Sequence, residues 1–135
     1  MTSDERAQVT LRIPCDVRYF RSVRLAVGGL ATLVGFDIEA IDDLRIAVDE
    51  VCGTLAEVGT GEELLIEVVT EPGRSIRIEG STPRGTAGLD ADRHRFATQI
   101  LSVVADRHGV ELDGATARCW LAREVSDWSA DEPQP

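Results

Sequence analysis

Residues 41–58 read Ile41-Asp42-Asp43-Leu44-Arg45-Ile46-Ala47-Val48-Asp49-Glu50-Val51-Cys52-Gly53-Thr54-Leu55-Ala56-Glu57-Val58. Ile41, Leu44, Val48, Val51, Leu55 and Val58 recur at steps of three and four, the spacing of one apolar stripe on a helix. Asp37 stands where an N-cap accepts the first free amides. Glu39, Asp42 and Asp43 suit the positive end of the helix dipole, and Gly59-Thr60-Gly61 breaks the pattern. A helix apolar along one side must bury that side against a second layer.

The flanking segments supply that layer. Downstream, Leu64 to Val69 reads as a strand, Pro72-Gly73 as a turn, and Ser75 to Glu79 as an alternating strand, so the two form a hairpin. Gly80 to Asp90, with three glycines and Pro83, reads as a loop. A further helix is expected from Ala91 to about Arg107, with Phe96, Ile100, Val103 and Val104 inward. Gly109 to Leu112, a turn at Asp113-Gly114, and Thr116 to Val125 make a last hairpin. Upstream, Phe20, Val23, Val27, Leu30 and Val34 mark another amphipathic helix, weakened at Gly28-Gly29 and ended by Gly35. Val9 to Ile13 alternates as a half-buried strand stopped by Pro14. The order β-α-α-β-β-α-β-β predicts an α/β (α+β) two-layer sandwich, with the helices on one face of a mostly antiparallel sheet. One domain spans 9–125. Residues 1–8 are a polar, disordered start, and 126–135 a polar tail.

The 135 residues carry 24 acids and 14 bases, a net charge of −10, and every base is arginine. With no lysine, a P-loop and Schiff-base chemistry are excluded. With no asparagine, so is N-glycosylation. The acidic balance argues against nucleic acid or an anionic membrane as direct partner, since both are polyanions. No apolar run approaches a membrane span, and Asp4 and Glu5 stand where a signal peptide carries positive charge, so a cytoplasmic protein is expected. Cys15, Cys52 and Cys119 are far apart and form no C-x-x-C pair, which reads as reduced core cysteines. His94 and His108 each follow an Asp-Arg pair without metal-ligand spacing, and read as solvated residues at helix ends. Within 41–58, Glu50 lies about 130° from the centre of the apolar stripe. It shares a face with Glu39, Asp43 and Glu57. On pattern alone that is a solvated acidic face, and a carboxylate there acts as a general base only if it borders a cleft.

The run Asp43-Leu44-Arg45-Ile46-Ala47-Val48-Asp49-Glu50-Val51-Cys52 resembles the N-box helix of anti-sigma regulatory factors. These are small serine kinases of the GHKL, or Bergerat, superfamily with a histidine-kinase/Hsp90-like ATPase fold. The opening strand with Pro14, the long helix ending at Gly35-Phe36, and Ile100 to Asp106 extend the resemblance over most of 9–125. It implies that Glu50 is the catalytic base toward an attacking hydroxyl. Four residues on, the asparagine that holds Mg²⁺ against the nucleotide is replaced by Thr54. In the stretch matching the family's D-x-G-x-G box, Glu79 stands for the adenine-binding aspartate and Gly80 follows it, while Ser81 and Pro83 replace both glycines. The glycine-rich lid is absent: Phe96-Ala97-Thr98-Gln99 stands there, and Gly85 and Gly88 remain in the preceding loop. The nucleotide-binding positions are thus Thr54, Glu79, Gly80 and Gly85, with no metal ligand among them.

Phosphoryl transfer depends on metal and donors to offset developing charge, so three altered elements favour a binder over a kinase. The expected function is an anti-sigma factor that sequesters a sigma factor and is controlled by an anti-anti-sigma partner. The alternatives are an ATP-dependent serine/threonine kinase acting on that partner, and a non-catalytic nucleotide sensor. ATP and Mg²⁺ enter through the resemblance alone, and a homodimer is left open.

Overall fold

The computed structural model describes residues 5–126. Its elements run β1 (Ala7–Pro14), α1 (Val17–Val34), α2 (Ile38–Val58), β2 (Glu63–Glu71), β3 (Ser75–Pro83), α3 (Ala91–Val104), β4 (Arg107–Asp113) and β5 (Thr116–Glu124). The five strands form one sheet in the order β1-β2-β3-β5-β4, antiparallel at every junction. All three helices lie on one face, so the two-layer α+β expectation holds. Strand β1 takes in Ala7 and Gln8, which pair with Thr70 and Val69 although the sequence assigns them to the polar start. Residues 1–4 and the tail from 127 onward lie outside the described residues.

Local chemistry sets the helix ends. Asp16 caps α1 by accepting from the Arg18 amide at 2.9 Å, and hydrogen bonds from Arg18 hold its carboxyl below the usual range. Gly35 ends α1 in the left-handed region, φ 111°, and its amide bonds Ala31 and Thr32 carbonyls. That backbone favours glycine because a Cβ is strained there. Asp37 caps α2, accepting from the Ala40 amide at 2.8 Å.

Helix α2 is the centre of the core. Leu44, Val48, Val51, Leu55 and Val58 are fully buried against Leu64, Ile66, Ile76, Ile78 and Leu121 of the sheet. Ile41 is only half-buried at the edge of this stripe. Of the mid-helix glycines of α1, Gly28 has a structural reason, while a Cβ on Gly29 would meet open space. A Cβ on Gly28 of α1 would lie 2.7 Å from the Arg45 guanidinium of α2, and next to this seat Arg24 Nη1 meets Asp49 at 2.7 Å. The propensity lost at Gly28, about 1 kcal/mol, is what lets the Arg45 guanidinium approach the α1 backbone.

Two elements differ from their sequence reading. Strand β3 continues through Gly80 to Pro83, which the sequence reads as loop, because Gly80 to Pro83 stay paired with Cys119 to Thr116 of β5. Helix α3 stops at Val104 rather than near Arg107, because the Asp106 amide bonds Ala122 O and the next residues join the sheet. Its buried residues are Ala97, Leu101 and Val104; Phe96 and Val103 are 55% and 84% exposed. Two adjacent stripes, 96/100/103 and 97/101/104, satisfy the same period, and the one containing the small Ala97 faces inward.

Truncating Leu55 to Ala is expected to cost about 2–5 kcal/mol in urea unfolding, the range for a fully buried leucine. Gly80→Ala should also destabilise, by about 1–3 kcal/mol, because its methyl overpacks the contact with α2. Wild-type midpoints for both variants would refute this account of the core.

Candidate functional site

The residues singled out by sequence do not all meet. Glu50 and Thr54 lie one turn apart on α2, on the side toward α3 and β5. Thr54 is 2% exposed. Glu50 is half-buried, its Oε1 is shielded from solvent without a hydrogen-bond partner, and its charge helps raise the Cys119 thiol on β5. A carboxylate oxygen in that state can still accept a hydrogen bond.

Glu79 is elsewhere. Side chains alternate along a strand, and on β3 Ile76, Ile78, Gly80 and Thr82 are buried toward the helices. Glu79 therefore points to the open face of the sheet, where its carboxylate accepts from Arg77 Nη2 at 3.2 Å beside Glu67 and Trp120. Arg77 itself stacks on Trp120, 4.5 Å from the ring centroid. The five-stranded sheet separates Glu79 from Glu50. Gly80 is the residue that faces the helix layer, and a Cβ there would meet Leu55 Cδ1 at 2.5 Å and Val51 Cγ1 at 3.1 Å. It is a packing glycine beneath α2. Gly85 is likewise a contact point. Its amide bonds Val58 O at 2.8 Å, and a Cβ would lie 2.6 Å from Gly59 O. The loop after β3 thereby satisfies one carbonyl that the end of α2 leaves free.

Two arginines missed by the sequence reading complete the neighbourhood. Arg93, in the first turn of α3, places its guanidinium in the space a Cβ on Gly53 would need, and its Nε lies 3.9 Å from Glu57 Oε1. Arg123 of β5 reaches Asp43 at 3.7 Å. The face read as solvated is therefore partly covered: Asp43 and Glu57 are ion-paired, and one oxygen each of Glu50 and Glu57 is buried. The one signal available for Arg93 was a glycine inside a helix, which marks close approach but does not name what approaches.

These residues do not fit a Mg²⁺–nucleotide complex. Thr54 offers a buried hydroxyl in place of an amide oxygen, no β3 carboxylate faces α2, and an arginine of the chain itself sits on Gly53. Among the described residues no three His, Cys, Asp or Glu side chains converge on a metal position. His94 and His108 line one shallow cleft of about 240 Å³ between α3 and β4, with Thr98 and Leu101. His108 is thus a strand residue and not at a helix end. Burial pushes the Cys52 and Cys119 thiols up to about 12, which leaves them inert core residues.

No protein-family model matches the chain. Its fold matches the RsbU and RsbW domains of a Mycobacterium tuberculosis protein with TM-score 0.68 and 11% identity, over 87% of this chain and 32% of that one. The serine-protein kinase RsbW of Listeria monocytogenes is 39% identical over 57 residues, 42% of this chain and 36% of the relative. The anti-sigma-F factor RsbW of M. tuberculosis is 30% identical over 98 residues, 73% of this chain and 58% of the relative. The chain is similar to RsbW proteins in sequence over part of their length and shares the RsbW-domain fold. It spans less than two thirds of the length of these curated relatives. The RsbW fold is thus retained, while Glu79 lies apart from Glu50 and Thr54.

The Arg93 seat has a measurable consequence. Gly53→Ala normally gains about 1 kcal/mol of helix propensity; here the methyl evicts Arg93, and the gain is expected to vanish. It should return in an Arg93→Ala background, as a non-additive cycle in urea unfolding. In native protein at pH 8, a thiol reagent should modify half-buried Cys15 ahead of Cys52 and Cys119. The latter two should react only on unfolding, because at a pKa near 12 the thiolate fraction is about one part in 10⁴.

Proposed function

We propose that this RsbW-like protein is an anti-sigma factor that binds a sigma factor directly, is released by an anti-anti-sigma partner, and does not depend on phosphoryl transfer. The relatives' names support the partner class. The observation that carries the second half is the surrounding of Glu50: the helix face that would border a nucleotide is seated by the chain's own Arg93, and Glu79 lies across the sheet. Mg²⁺–ATP, where bound, supplies the transferable phosphoryl group. In this chain Glu50 remains a base without the donors that would neutralise the developing charge.

Charge supports the partner. A sigma factor exposes basic, promoter-contacting surface, and a protein of net charge −10 is steered toward it. Steering acts on the association rate and fades as the screening length falls, from about 10 Å at 0.1 M salt to about 3 Å at 1 M.

Calorimetric titration with ATP, with and without Mg²⁺, is expected to give weak binding or none. A sigma factor should be retained without nucleotide, with association slowing as salt rises. Transfer of phosphate to an anti-anti-sigma protein at about 1 s⁻¹ or faster, the ordinary kinase range, would overturn the reading in favour of the kinase. Glu50→Gln would then abolish transfer with little loss of stability.

A further inference from the structure

Helix α3 carries a second apolar stripe that nothing among the described residues fully covers. Phe96 and Val103 are 55% and 84% exposed and Ile100 is half-buried. With Arg93 they follow steps of three, four and three, so they lie on the side of α3 from which Arg93 reaches α2. The two helices run antiparallel. The start of α3 meets the end of α2 through Arg93, Gly53 and Glu57. The chain leaving α3 joins β5 at Ala122, next to Arg123, which pairs with Asp43 near the start of α2. A seam therefore runs along the pair, with Phe96, Ile100 and Val103 on one wall. The acidic edge of α2, Glu39, Asp43, Glu50 and Glu57, forms the other.

Among the described residues, cations occupy only the flanks of that edge. Arg93 holds Glu57 and Arg123 holds Asp43, while Glu50 between them has no ion-pair partner among the described residues. Arg93 also demonstrates that a guanidinium fits against this helix. From Asp43 to Glu57 the edge is about 21 Å long at 1.5 Å per residue, the length of a helix of about fourteen residues. A second copy would bring the same carboxylates to the seam. The chain's last nine residues carry Asp127, Asp131 and Glu132 and no base, so both are of the wrong sign.

We infer that the α2–α3 seam is the docking surface for a basic amphipathic helix of the partner, whose apolar side covers Phe96, Ile100 and Val103 and whose arginines or lysines meet the acidic edge of α2. The inference rests on the proposed sigma-binding function and adds the face and the chemistry of the contact. Such a helix would present apolar anchors at i, i+3, i+4 and i+7.

The test measures binding of each sigma factor of the source cell, produced individually, to three immobilised proteins. These are the wild type, Phe96→Ser/Val103→Ser, and Leu25→Ser/Leu33→Ser. The last pair is a control on α1, where both leucines are 63% exposed. All four side chains are solvent-facing, so the fold should survive, and thermal melts verify that. The α3 variant is expected to bind at least about tenfold more weakly, as for loss of central apolar anchors, while the α1 variant binds like wild type. Glu50→Gln should slow association at low salt and match wild type at high salt. Equal binding by wild type and the α3 variant overturns the docking face and leaves the function standing. A wild type that binds no sigma factor overturns both. A dimer in sedimentation that the α3 variant alone dissolves, with sigma binding unchanged, makes a second copy the occupant and overturns the inference.

Discussion

Helix α2 lies so close to strand β3 that position 80 has no room for a side chain. A methyl there would overlap Leu55 and press on Val51 and Ile66. That approach sets the depth at which α2 sits on the sheet, and the rest follows from it. Leu44, Val48, Val51, Leu55 and Val58 face Ile66, Ile76, Ile78 and Leu121 with no exposed area. The loop after β3 then reaches Val58 O through Gly85. Interiors are close-packed, so a helix pinned at one point has little freedom at its other contacts.

The same close packing shapes the helix layer. Two arginines lie over helical glycines, Arg45 on Gly28 and Arg93 on Gly53. Each joins one helix to the next. A guanidinium is flat, weakly hydrated for a cation, and always charged, so it fills a slot where a branched side chain would not enter. Between them these contacts order α1, α2 and α3 side by side and leave the open face of the sheet to the Arg77–Trp120 stack and Glu79.

The site chemistry follows from where those arginines stand. A half-buried glutamate beside an open cleft is a general base in waiting; beside a seated arginine and a buried threonine it belongs to a packed surface. The sheet keeps Glu79 from taking part, since one residue of strand alternation decides which face a carboxylate occupies. Acidic charge then gathers along α2 next to an apolar stripe on α3, a combination suited to a basic, amphipathic protein partner.

Period and capping chemistry in the sequence determined the element order, the caps at Asp37 and Gly35, and the buried stripe from Leu44 to Val58, because each depends on neighbours within a few residues. The string around Glu50 was enough for the family resemblance. The tertiary structure alone decided three things. It chose which of two equivalent stripes on α3 turned inward, since periodicity is blind to the size of the opposing surface. It carried β3 on through Gly80 to Pro83, since pairing with β5 outweighed local loop propensity. And it put Arg93 and Arg123 on the acidic edge of α2, contacts between residues 36 to 80 positions apart. No local pattern encodes which cation will cross such a distance, because it is set by the order of helices and strands in space.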